Sequence, residues 1–129
     1  MIIKLANAEH TEYSKLISKL IDESAKIRGT GIARRSPTYI KEKILSGNSV
    51  IALDENNFAG FCYIEAWEHG EYVAHSGLIV SPKYRNMGIG KKIKKKVLEL
   101  SFKKYPKSKI FGITTGMPVM KINYELGYR

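Results

Sequence analysis

A chain of 129 residues is long enough for one domain with a real core and too short for two. Its 43% hydrophobic and 26% charged residues are ordinary for a folded soluble protein, no apolar run approaches the roughly 18 residues of a membrane span, and "MIIKLANAEH" lacks the apolar stretch of a secretory signal. The single cysteine, Cys62, excludes an internal disulfide and fits a reducing, cytoplasmic setting, while 22 Lys and Arg against 12 Asp and Glu give a net charge of +10 that favours anionic partners without choosing among them.

"MIIKL" reads as a first strand. Asn7 is an N-cap for a helix from about Ala8 to Lys26, with Leu16, Ile17, Leu20, Ile21 and Ala25 on one face. "RGTGIARR" then breaks the helix with two glycines and carries Arg28, Arg34 and Arg35. Ser36-Pro37 starts a second helix that runs to about Leu45, and Ser46-Gly47-Asn48 stops it. "SVIALD" and "FAGFCYIEAW" flank the turn-rich Glu55-Asn56-Asn57 and predict a hairpin. In the second run Phe61, Tyr63, Glu65 and Trp67 alternate with Cys62, Ile64 and Ala66, which places the two sets on opposite faces. A turn at "EHGE" leads to "YVAHSGLIV", Tyr72 to Val80, completing an antiparallel meander.

After Ser81-Pro82 the period changes. Ile89, Ile93, Val97 and Leu100 recur at helical spacing, with lysines on most other positions as the wet face. "KIFGITTG" is a buried-looking strand, "PVMKINYEL" a last short helix, and Gly127 suits its C-terminal cap. Strand, long helix and strand at this spacing form a βαβ crossover, so that strand pair should be parallel. The expected fold is α+β, a single domain over residues 1–129 in the order β-α-α-β-β-β-α-β-α.

The chain between Val80 and Lys92 is the richest in chemistry. A strand ends, Pro82 forbids its continuation, and "KYRNMGIG" delivers the backbone into a helix whose first N–H groups lack internal partners. Gly88 and Gly90 remove Cβ atoms that would hold a ligand off that backbone, which makes an anion site suited to phosphate. It is not a P-loop, because no Gly-Lys-Ser/Thr follows at the required spacing. Nor is it the dinucleotide fingerprint, which needs G-x-G-x-x-G at the first βα turn of a parallel sheet.

"LIVSPKYRNMGIGKKI" resembles the acyl-CoA-binding motif of the GNAT family of N-acetyltransferases, with Arg85, Gly88 and Gly90 at the three signature positions. The element order is similar too, and "NYELGYR" resembles the family's "Y-E-x-L-G-F" ending. The resemblance implies a mixed sheet that splays beyond Val80, and backbone amides from Asn86 through Met87, Gly88, Ile89 and Gly90 to Lys91 that hold the pyrophosphate of acetyl-CoA. It implies a pantetheine arm bonded along Leu78, Ile79 and Val80, one of whose amides polarises the thioester carbonyl. No metal and no covalent enzyme intermediate is required.

For proton chemistry, His75 is the first candidate base, since it stands where many family members carry a carboxylate. A histidine satisfied within the sheet is the competing reading. Glu65 is the rival, a carboxylate alternating with aromatics on a central strand. Glu68, His69 and Glu71 read as turn residues and Cys62 as core. The tyrosine that the family pattern places four residues before the last glycine is Asn123 here, and Tyr124 follows it. Either the helix end shifts and Tyr124 acts as the acid, or Asn123 contacts CoA and no tyrosine does. The chain stops where family members continue with further strands, so the expectation is a domain lacking its C-terminal strands, with a second copy of the chain as one way to supply the edge.

The partner that the resemblance implies is a small-molecule amine. Arg28, Arg34 and Arg35 would pair with a carboxylate, which favours an amino acid such as glutamate and a bacterial subgroup linked to arginine biosynthesis. A solvated loop is the alternative for these arginines. Two other readings stand beside the enzyme: a catalytically inactive CoA-binding sensor, and a nucleic-acid module using Lys91, Lys92, Lys94, Lys95, Lys96, Lys103 and Lys104. Against the last, no helix-turn-helix, RNA-recognition aromatic pair or zinc spacing is visible. A membrane partner is not expected.

Overall fold

The structure is a computed structural model that describes residues 1–28, 36–67 and 72–112. Five strands form one sheet in the order β1-β2-β3-β4-β5: β1 Ile2–Leu5, β2 Ser49–Asp54, β3 Asn57–Trp67, β4 Tyr72–Val80 and β5 Lys109–Gly112. The first four pair antiparallel, and β5 pairs parallel with β4 from Tyr72↔Lys109 to His75↔Gly112. The mixed α+β architecture and its parallel crossover are as the sequence predicts. The expected turn at "EHGE", the stretch "ITTG" and the helix "PVMKINYEL" lie outside the described residues.

Helices α1 (Ser14–Arg28) and α2 (Pro37–Leu45) cover one face of the sheet, and α3 (Ile89–Lys104) covers the other. Alternation along the strands feeds two cores. Ile51, Leu53, Phe58, Phe61, Tyr63 and Ile79 meet α1 and α2 residues such as Ile17, Ile21, Ile40 and Ile44. On the opposite face Val50, Ala52, Cys62, Ile64 and Val73 meet Ile89, Ile93 and Val97. Burying side chains of this size is worth about 1.5–3 kcal/mol each, which is what fastens helices whose outer faces are polar. Among the described residues no helix is long and apolar enough to cross a membrane.

Two expectations are corrected here. The first helix does not begin at Ala8 as an α-helix. Asn7 and His10 form a reciprocal cap, with His10 Nδ1 accepting the Asn7 N–H at 2.9 Å, and a tighter 3₁₀ turn runs over Ala8–Tyr13 before α1 starts. The core stripe is then Ser14, Ile17, Ser18 and Ile21, and Leu16 points outward, 42% exposed. The lysine face of α3 is also not wholly wet: Lys94 is 1% exposed.

β4 carries a bulge. Phe61 faces Ile79 and Tyr63 faces Ser76, so two steps on β3 oppose three on β4. Gly77 takes up the extra residue at φ +67°, and a Cβ built there would overlap the Tyr63 ring. The bulge restores the alternation: Val73 and His75 before it, and Leu78 and Val80 after it, all serve the α3 side. Gly77→Ala must relieve a steric overlap and hold a positive φ, and is expected to lower stability by about 3 kcal/mol. Gly88→Ala, at φ +74° with open space around the added atom, should cost only about 1 kcal/mol. Urea unfolding of the two variants checks the contrast.

Candidate active site

The end of β4 is tied down before the chain turns. Ser81 N–H donates to Ala59 O at 2.8 Å, the last bond toward β3. Pro82–Tyr84 then form one 3₁₀ turn, with Tyr84 N–H donating to Ser81 O at 2.8 Å. Pro82 has no N–H for a strand ladder and sits at the first position of that turn, where none is needed. Arg85 folds back, its Nε donating to Val80 O at 3.2 Å. Its guanidinium therefore braces the exit of β4.

Residues 85–88 are exposed, Met87 at 60%, and lie between two buried side chains, Tyr84 at 5% and Ile89 at 4%. Asn86 has φ +64° and Gly88 φ +74°, so left-handed residues recur through the loop. Such alternation turns successive N–H groups toward one concavity. Gly88 is the N-cap of α3 and supplies no side-chain bond to it, which leaves the N–H groups of the first turn, Ile89 and Gly90 among them, directed at whatever fills the loop. With nothing within 4 Å of a Cβ on Gly88, that space is open. The residues present thus fit an anionic group such as a pyrophosphate.

The structure separates the two candidate bases by face. His75 is fully buried on β4 beneath α3, with Nε2 hydrogen-bonded to Ser101 Oγ. Burial, and secondarily the charge of Lys94, lower its pKa to about 3. Glu65 faces the α1–α2 side, where its Oε2 lies 3.3 Å from Lys43 Nζ. The same ammonium donates to Ile64 O at 3.0 Å and stands 5.5 Å from the Tyr39 ring centre and 5.6 Å from that of Tyr63. Glu65 and Lys43 are each partly exposed at the side chain, 24% and 17%. Glu65 thus keeps a route to solvent that His75 lacks. Leu78, Ile79 and Val80 form the end of β4. The side chain of Arg28, together with Arg34, Arg35, Asn123 and Tyr124, lies outside the described residues, as do Glu68, His69 and Glu71.

Several residues gained importance only in three dimensions. Cys62 donates its thiol to Ser76 O at 3.4 Å, and burial pushes its pKa up while nearby Lys94 pulls the other way. Lys94, itself lowered by burial, places its charge near both Cys62 and His75 in the α3 core. Ser101, Lys43 and Asp54 fall in no motif, and Tyr84 lies inside the loop motif without being one of its signature positions. Their one sequence signal is position: each falls on a helix face or at a strand end that the periodicity directs toward the sheet or the loop.

Comparison with known proteins matches residues 26–118 to the acetyltransferase (GNAT) family. No curated protein matches the chain. Solved structures share the fold. A GNAT-family acetyltransferase from Staphylococcus aureus superposes with a TM-score of 0.74 at 20% identity, over 99% of this chain and 84% of that one. N-acetylglutamate synthase from Neisseria gonorrhoeae, complexed with coenzyme A and N-acetyl-glutamate, gives 0.73 at 18% identity over 95% of this chain but only 27% of its own. Diaminobutyrate acetyltransferase from Paenibacillus lautus, complexed with its diamino acid substrate and coenzyme A, gives 0.68 at 15% identity, over 98% and 72%. The chain thus spans about a quarter of the synthase and most of the other two.

His75 sets a pH signature. Its folded pKa of about 3 lies below the unfolded value near 6.5, so the unfolded chain binds a proton that the native state refuses. Stability from this group is complete above pH 6.5 and is lost as the pH falls toward 3. Between those limits the wild type should lose about 1.4 kcal/mol per pH unit more than His75→Gln does. Chemical denaturation of both proteins from pH 4 to 7 measures the difference.

Proposed function

The chain belongs to the acetyltransferase (GNAT) family, and from that premise we propose that it transfers an acetyl or similar acyl group from acyl-CoA to a primary amine by direct attack. The observation that carries this reading is the loop from Arg85 to Gly88, which brings two left-handed residues and an uncapped helix N-terminus together at the end of β4. Amides from Asn86 to Lys91 receive the pyrophosphate, and no side chain needs to contact it. The backbone at Leu78, Ile79 and Val80 aligns the pantetheine arm and offers an N–H to the thioester carbonyl.

The acceptor arrives as an ammonium and must lose a proton before its nitrogen bonds to the acyl carbon. As that bond forms the carbon–sulfur bond breaks, and the departing thiolate takes up a proton. Glu65 is the better base of the two candidates, because its carboxylate is partly exposed on the α1–α2 side and held there by Lys43. His75 is occupied by Ser101 and is neutral through the physiological range. We assign it instead to fastening α3 against β4. Tyr124 or Asn123 at the CoA sulfur, and Arg28, Arg34 and Arg35 at a carboxylate of the acceptor, complete the reading on the strength of the family resemblance.

An amino acid acceptor is favoured by two similar folds, one in an enzyme crystallised with N-acetyl-glutamate and one in an enzyme crystallised with L-2,4-diaminobutyric acid. Thiol release from acetyl-CoA across a panel of amines and amino acids tests the proposal. At least one amino acid should give turnover; stabilisation by acetyl-CoA without thiol release from any of them would instead identify a sensor. Gly88→Val, which crowds the loop with branched carbons at a positive φ, should abolish acetyl-CoA binding. Glu65→Gln should lower kcat by about 100-fold or more while acetyl-CoA affinity holds.

A further inference from the structure

We propose that Tyr84 and Asp54 are positioning residues for the acyl-CoA seat: a hydrogen bond from the Tyr84 hydroxyl to the end of β2 fixes how the Arg85–Gly88 loop presents its amides. The inference rests on the functional reading above, and it concerns Asp54, outside the motif that suggested that reading, and Tyr84, which is not one of its signature positions. Tyr84 Oη donates to Asp54 Oδ2 at 2.9 Å. The tyrosine ring is buried in the same core as Ile89. The exposed loop is therefore a span of four residues, 85 to 88, between two buried anchors.

The geometry separates anchoring from packing. A phenylalanine at 84 would fill the core as well as tyrosine does, so the hydroxyl and its partner need another reason. A carboxylate beside a phosphate seat has the wrong charge to contact the ligand, and Asp54 acts instead through the tyrosine it accepts from. Asp54 is itself held. It ends β2 just past a register shift between Ala52 and Leu53, pairs with Asn57 across a tight turn, and precedes Glu55 at φ +56°. The turn's next carbonyl, Asn56 O, accepts the Tyr13 hydroxyl at 2.9 Å. The bond thus ties the loop's first anchor to a rigid point on another strand. Amides held in place bind an anion without an ordering cost at the moment of binding.

The test measures Kd and KM for acetyl-CoA, together with kcat, in the wild type, Tyr84→Phe, Asp54→Asn and the double variant. Each single change should raise Kd and KM about five- to tenfold and leave kcat within about twofold, and the double variant should be no worse than either single one. Unchanged Kd in the single variants, a fall in kcat at constant KM, or multiplicative effects in the double variant would each overturn the proposal. Backbone ¹⁵N relaxation of residues 86–88 in the ligand-free proteins gives a readout independent of catalysis. Faster picosecond–nanosecond motion in Tyr84→Phe supports the clamp, and unaltered motion refutes it. Failure of the wild type to bind acetyl-CoA would sink the functional reading and still leave the relaxation measurement to decide the clamp.

Discussion

The contact between the Tyr63 ring and the backbone at Gly77 governs how the centre of the sheet reaches the loop. The ring lies where any other residue at 77 would carry its Cβ, so only glycine fits at the positive φ where β4 takes in one extra residue. Without that extra residue, the alternation that puts Val73 and His75 under α3 would send Leu78 and Val80 to the α1–α2 side. Both cores would then lose side chains they are built around. The bulge keeps the two faces consistent along β4.

Beyond Val80 the chain is fixed by single, well-separated bonds instead of a continuous ladder. Ser81 closes the pairing with β3, Arg85 braces Val80, and Ile89 returns the backbone to the core. The long lysine-bearing helix that follows is held along its length by a polar set under it: Ser101 against His75, and Lys94 near His75 and Cys62. At its far end Lys104 donates to Ser46 O, Gly47 O and Asn48 Oδ1, reaching across to the turn that joins α2 to β2. An ammonium among the last carbonyls of a helix is a favourable arrangement for both partners. The exposed lysines contribute to the positive field around the loop, while Lys94 belongs to the interior.

Much of this was legible in the residues, for identifiable reasons. The periods of Ile89, Ile93 and Val97 in α3 and of Phe61 and Tyr63 in β3 are strong because each of those faces is buried by one partner. The glycine loop was legible because left-handed backbone at a helix start leaves few residue choices. Lys94 was not, since a lysine's burial depends on which polar groups meet it from other elements. Leu16 was misplaced because Ser14 and Ser18 take core positions that a search for apolar residues passes over. His75 is a case where position along the strand was readable and its neighbourhood was not: only the tertiary structure puts Ser101 beside it. An isolated glycine inside "HSGLIV" did carry the signal of a bulge. The ring that excludes a Cβ there, fourteen residues earlier, did not show in the local pattern.

The β2–β3 turn has a consequence for engineering. Hairpin tips are ordinarily where a domain best accepts an inserted epitope, a fused partner or a new chain break, because little else leans on them. This one receives a tyrosine hydroxyl from each side of the sheet, Tyr13 on Asn56 and Tyr84 on Asp54. It behaves less as a loose end than as a keystone between the helical layer and the Arg85–Gly88 loop. A permuted or tagged version of the protein should therefore be opened elsewhere.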